Sequence, residues 1–185
     1  MNKILLISDW YPPAYKAGGP VQSVYRLAQL LKDKYKVYVM ASCIDLDGSQ
    51  VVGIKETNNW ILSDGVNVWY DTSPRSNSQK FIHLIKELNP SAIYINGLFS
   101  KHFKRLHLRL FVSIDLPKLI ISVRGMLKPS ALEINSFRKK VYIQLLRLLR
   151  LPKKVIFHVT KEEEERDAVQ TFGKHNKIVQ ISNIP

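Results

Sequence analysis

Adjacent glycines, Gly18 and Gly19, close a proline-containing loop, Ser8 to Pro20, that runs directly into a helical pattern. Glycine there permits positive φ and close approach of a ligand to the backbone, and Pro20 suits the first helical turn, where its missing N–H costs nothing. Free amides and the positive end of the helix dipole are together suited to hold a phosphate. The same dipeptide also serves as a plain turn before a helix. The loop carries neither G-x-G-x-x-G nor a P-loop, so a nicotinamide or nucleoside-triphosphate site is not supported by its glycines. Arg124, followed by Gly125, comes directly after an apolar run. Its guanidinium can pair bidentately with a phosphate or an acidic acceptor but cannot act as a general base; a structural ion pair beneath the loop is the alternative. Asn96 ends another apolar run, where its amide either hydrogen-bonds hydroxyls of a ligand or turns the chain into Gly97. Asp9 stands at the end of the first such run, placed to orient the Gly-Gly loop or to cap a neighbouring segment.

Other reactive side chains form no recognisable set. His158 lies inside a strand pattern and reads as a core histidine, and His102 and His107 are five apart and share no helix face. No Ser/His/Asp constellation, paired carboxylates or metal-spaced His/Cys cluster stands out, so no metal is expected. The single cysteine, Cys43, has no intrachain partner, which fits a reducing compartment and a cytoplasmic location.

These residues need a scaffold, and the apolar pattern supplies one. Short strand-like runs at 3–8, 36–41, 92–96, 119–123, 155–159 and 177–181 alternate with helical patterns at 20–34, 78–88, 101–111, 136–150 and 160–172. Pro152 is the expected stop for the fourth helix. Asp64-Gly65, between Trp60-Ile-Leu62 and Val66, signals a hairpin, and Thr160 with Glu163 reads as a capping box. Alternation of this kind predicts an α/β fold: a Rossmann-like open, mostly parallel sheet with helices on both faces, as one domain over 1–185. A length of 185 residues with 45% hydrophobic content is enough for a packed core.

Charge is unevenly spread. The formal net charge is +13, yet residues 101–154 alone carry fourteen Lys/Arg against two acids, a net +12. Arg138, Lys139, Lys140, Arg147, Arg150, Lys153 and Lys154 dominate the 136–154 stretch, interleaved with Phe137, Val141, Leu145, Leu148 and Leu149. Such a field attracts phosphates, acidic sugars or an anionic membrane face. The apolar members are expected to pack on the sheet and the basic ones to face solvent. No zinc finger, RNA-binding aromatic signature or DNA-reading helix accompanies the charge, so no specific nucleic acid is expected.

The first strand, the Gly18-Gly19 loop, the helix Val-Gln-Ser-Val-Tyr-Arg-Leu-Ala-Gln-Leu-Leu and Tyr-Lys-Val-Tyr-Val together resemble the N-terminal half of GT-B glycosyltransferases, family 4 (group 1 retaining enzymes). Further likenesses follow in order: Asp64-Gly-Val66, Ile95-Asn-Gly-Leu98, Ser122-Val-Arg-Gly-Met-Leu-Lys-Pro-Ser-Ala-Leu132, Lys139-Lys140 and His158-Val-Thr-Lys-Glu162. The resemblance implies a retaining glycosyltransferase of hexosyl type, with a nucleotide-sugar as donor substrate, no cofactor, and a glycan or lipid-linked acceptor in bacterial surface polysaccharide or glycolipid synthesis. It implies that Gly18 and Gly19 face the donor diphosphate, while Asn96, Arg124, Gly125 and Asp9 line the acceptor side of a cleft. It also implies that Ile181-Ser-Asn-Ile-Pro185 leads toward a donor-binding domain outside these residues, so that this half alone is inactive. A peripheral position on the inner face of the cytoplasmic membrane would suit lipid-linked acceptors. The alternative is a non-catalytic basic module for anionic membrane or nucleic acid.

Overall fold

The computed structural model describes residues 1–112, 117–134, 136–150 and 153–182. Two sequence expectations, the helix stop at Pro152 and the segment ending in Ile184 and Pro185, fall outside them. Among these residues eight strands form one sheet: β1 (Lys3–Ser8), β2 (Lys36–Ser42), β3 (Trp60–Ser63), β4 (Val66–Asp71), β5 (Ala92–Asn96), β6 (Lys118–Ser122), β7 (Val155–Val159) and β8 (Lys177–Gln180). Their order is β3-β4-β2-β1-β5-β6-β7-β8. Every pairing is parallel except β3–β4, the hairpin signalled by Asp64-Gly65. Both turn residues have positive φ (50° and 80°), as the tight hairpin turn matching strand twist requires. The expected Rossmann-like, mostly parallel sheet is therefore present.

Among the described residues six α-helices flank the sheet: α1 (Gly19–Leu31), α2 (Ser78–Leu88), α3 (Lys104–Val112), α4 (Pro129–Glu133), α5 (Ser136–Leu148) and α6 (Glu162–Phe172). They are unequally shared between the faces. Leu5, Ile7, Ile93, Ile121 and Phe157 project to one side, where residues of α2, α3, α5 and α6 cover them. Leu6, Val37, Val39 and Tyr94 project to the other, where Val24 and Ala28 of α1 pack on them. Helix ends follow local chemistry. Asn89 takes the left-handed conformation before Pro90 and ends α2, and four glutamates occupy the first turn of α6, where the dipole favours them.

Two local expectations are corrected. The capping contact at α6 uses Glu164, not Glu163: its Oε2 accepts from the Thr160 backbone N–H (2.7 Å) and hydroxyl (3.0 Å). Lys161 is the N-cap residue, so the reach from Thr160 is one residue longer than in a capping box. The apolar stripe of α5 does not pack on the sheet. Tyr142, Ile143 and Leu146 are the core-facing residues, whereas Phe137 is 77% and Leu148 81% exposed. At about 100° per residue, Phe137, Val141, Leu145 and Leu148 fall on the side of the helix opposite Tyr142 and Leu146.

Candidate functional site

In an open α/β sheet, ligands bind beyond the carboxyl ends of the strands, where strand order reverses. Here β1 leads to β2 on one side, while β5, β6 and β7 extend on the other, so the reversal lies between β1 and β5. The register brings Ser8, Asn96, Ser122 and His158 into one row across β1, β5, β6 and β7. All the residues singled out from sequence, apart from the basic set, follow or belong to that edge.

A polar chain joins three strand ends. Arg124 Nε donates to Asn96 Oδ1 (2.8 Å), Asn96 Nδ2 donates to Ser8 Oγ (3.3 Å), and Ser8 Oγ donates to the Trp10 carbonyl (2.9 Å). Arg124 has φ +52°, a left-handed conformation that an unbranched long side chain adopts only when its surroundings hold it. Asn96 thus both ends its strand and orients the guanidinium. Gly125 (φ +65°) follows, with Glu164 and Lys128 around the space a Cβ would fill. Gly97 packs directly against the segment that follows Arg124. A Cβ on Gly97 would meet Met126 Cε at 2.9 Å, and Met126 Sδ accepts from the Phe99 backbone N–H (3.3 Å). The two segments interlock through that methionine.

Asp9 is buried and spends its carboxylate on the end of the β5–α3 connection, just before α3. It accepts from the Ser100 hydroxyl, from Lys101 N–H (2.6 Å) and from His102 N–H (2.9 Å). Ser100 Oγ in turn accepts from Phe103 N–H (2.7 Å). The capping alternative for Asp9 is the one this geometry matches; it holds the first turn of α3 beside the crevice.

Gly18 has φ +62° and is the N-cap of α1, Gly19 opens the helix, and Pro20 takes its second position. A Cβ on either glycine would have nothing within 4 Å, so the approach to this helix N-terminus is open. The loop before it is tied back by Lys16, whose ammonium lies 2.7 Å from an Asp47 oxygen.

His158 has both ring nitrogens engaged: Nε2 lies 2.9 Å from the Ile181 carbonyl and Nδ1 2.9 Å from the Tyr94 hydroxyl. A carbonyl only accepts, so Nε2 carries the proton and Nδ1 accepts from Tyr94. Burial raises the Tyr94 hydroxyl above its usual range, with the Arg124 charge acting against it. Tyr94, His158 and Arg124 help line a groove of about 350 Å³ between α1 and the sheet, whose other walls include Leu27, Ile120 and Ile156. His102 and His107 are buried near Asp9, and desolvation lowers both, His107 to about 4. Sequence reasoning missed Ser8, Ser100 and Tyr94. Ser8 was open to detection, because a hydroxyl closing an apolar strand lies on the ligand edge; the other two depend on register.

The basic set is not gathered at this crevice. Lys139 places its ammonium 5.4 Å from the centre of the Phe99 ring, Arg147 Nε donates to the Thr171 carbonyl (2.8 Å), and Arg138 and Lys140 lie on the outward half of α5. Lys153 and Lys154 are exposed just before β7, with Arg150 exposed after α5. Among the described residues, no group of three or more His, Cys, Asp or Glu is placed to hold a metal ion.

No family model matches the chain, and no curated protein sequence matches it. Among solved structures, it is similar to a dTDP-glucose 4,6-dehydratase from Bacillus anthracis in complex with NAD, with a TM-score of 0.52 and 14% identity. That match covers 86% of this chain and 54% of the dehydratase, so the chain spans about half the length of that enzyme. A SurE protein from Aquifex aeolicus matches with a TM-score of 0.33 and 15% identity, over 75% of this chain and 59% of that one. The likeness to the dehydratase shows a shared Rossmann-like fold.

Proposed function

We propose that this chain is the acceptor-side half of a retaining glycosyltransferase, which moves a sugar from a nucleotide-sugar donor to a glycan or lipid-linked acceptor. The observation that carries the reading is that the Gly18–Gly19 loop, which follows β1, and the Asn96–Arg124 pair, at the ends of β5 and β6, belong to the same carboxyl edge of the sheet, with strand order reversing between β1 and β5. In this reading the α1 amides and dipole stabilise the departing diphosphate, an electrostatic contribution that is large once a second domain closes the crevice and excludes water. Arg124, held by Asn96, binds an anionic group on donor or acceptor and takes no proton. The dehydratase fold is shared, but the first loop here lacks the G-x-G-x-x-G fingerprint, so nicotinamide chemistry has no support from these residues.

The test uses the full-length native protein, labelled UDP-, GDP- and dTDP-sugars, and membrane and glycan fractions as acceptors. Labelled sugar should appear in an acceptor fraction with release of the nucleoside diphosphate. Gly19→Asp, which adds a carboxylate in open space at the α1 N-terminus, should depress that transfer at least tenfold without unfolding the protein. Failure to transfer from every donor, or turnover of NAD instead, would overturn the proposal.

A further inference from the structure

Helix α5 has two apolar sides, and only one of them is used by the fold. Tyr142, Ile143 and Leu146 are buried in the core. Phe137, Val141, Leu145 and Leu148, at steps of four, four and three, fall within about 80° of one another on the outward side. Phe137 and Leu148 are 77% and 81% exposed, Val141 is 52% exposed and Leu145 37%. Arg138 and Lys140 bracket the stripe, Arg138 about 20° beyond one edge and Lys140 about 60° beyond the other. Among the described residues the ion pairs are Lys16–Asp47 and Lys128–Glu163, so neither bracket is neutralised by an acid there.

We propose that the outward face of α5 inserts shallowly into an anionic lipid surface, with the stripe at the boundary between headgroups and acyl chains and Arg138 and Lys140 at the phosphates. The occupant is chosen by charge complementarity. A second copy would bring another segment of net +12 against this one, and like charges oppose that contact. Nucleic acid would reward the cations but not the stripe. Anionic lipid rewards both: about 1 kcal/mol per Lys or Arg near the surface, together with burial of the apolar side chains. At 13 residues α5 is about 20 Å long, shorter than the roughly 30 Å hydrocarbon core, and no helix among the described residues is long and apolar enough to cross a membrane. An in-plane position follows. This inference stands independently of the transfer reaction proposed above.

Flotation of the 185-residue chain with phosphatidylglycerol-containing or pure phosphatidylcholine vesicles is the experiment. Binding should be confined to the anionic vesicles. Phe137→Ser with Leu148→Ser leaves the charge unchanged and should weaken it roughly tenfold or more. Arg138→Glu with Lys140→Glu should weaken it at least as much. Both pairs are exposed, so circular dichroism should match the parent chain. In a Phe137→Trp chain, the new emission should shift to the blue and be quenched by brominated lipid. Four results would overturn the proposal: no vesicle binding, equal binding to neutral lipid, undiminished binding of the serine variant, or a dimer in sedimentation that the serine variant abolishes.

Discussion

Strands β2 and β7 are both interior and both paired in parallel on each side, yet they are buried differently. In β2, Val37 through Ser42 are all buried. In β7, Val155, Phe157 and Val159 are buried while Ile156 and His158 are half-buried. Hydrogen-bonded pairing is the same; the helical cover is not. β2 has α1 on one face and residues of the larger cluster on the other, whereas β7 has α6 on one face and the groove beside Tyr94 on the other. Parallel sheets ordinarily have both faces covered. The finished region is therefore a stability core, and the half-open region is where ligand-edge residues such as Arg124 stay accessible to the groove.

Truncation tests the comparison most strongly. Phe81→Ala, in the closed face against Phe103 at 5.6 Å between ring centres, should cost about 3–5 kcal/mol in urea unfolding. Ile156→Ala on the open side should cost less than about 2 kcal/mol, because part of its side chain already meets water. Equal losses would dissolve the distinction between the faces.

The closed face also buries a base it cannot solvate. His107 is held near pKa 4 by desolvation, below the ordinary 6.5, so the unfolded chain binds the proton first. Its contribution is complete above about pH 6.5 and is lost as pH falls toward 4, on the order of 3 kcal/mol in all. Thermal unfolding from pH 7 to pH 4.5 should show that decline, and His107→Leu should flatten it. A decline of the same size in the variant would assign the acid sensitivity elsewhere.

Smaller effects belong to the ligand edge. Gly18→Ala, forced to φ +62°, should lose about 1–2 kcal/mol, while Gly19→Ala, with helical backbone and open space, should range from neutral to about 1 kcal/mol more stable. Tyr94→Phe removes the bond to His158 and should cost about 1 kcal/mol, with the histidine resonances shifting in NMR spectra. An unmoved His158 would show that the Ile181 carbonyl alone sets its tautomer.

The sequence by itself determined the succession of strands along the chain and of every flanking helix but α4, because buried parallel strands read as apolar runs and amphipathic helices as 3.6-residue periods, whereas the five residues of α4 are too few to show a period. It also determined the hairpin at Asp64-Gly65, where only residues tolerant of positive φ fit, and the concentration of positive charge in 101–154. Tertiary structure decided what periodicity cannot carry. The stripe on α5 and its core-facing residues are equally apolar in sequence, and only packing assigned Tyr142 and Leu146 inward and Phe137 and Leu148 outward. Asp9 closing on Lys101 and His102, Met126 filling the space at Gly97, and Arg124 reaching Asn96 are contacts between residues 28 to 93 positions apart. They follow from strand register, which depends on how the whole sheet pairs and has no local trace in the chain.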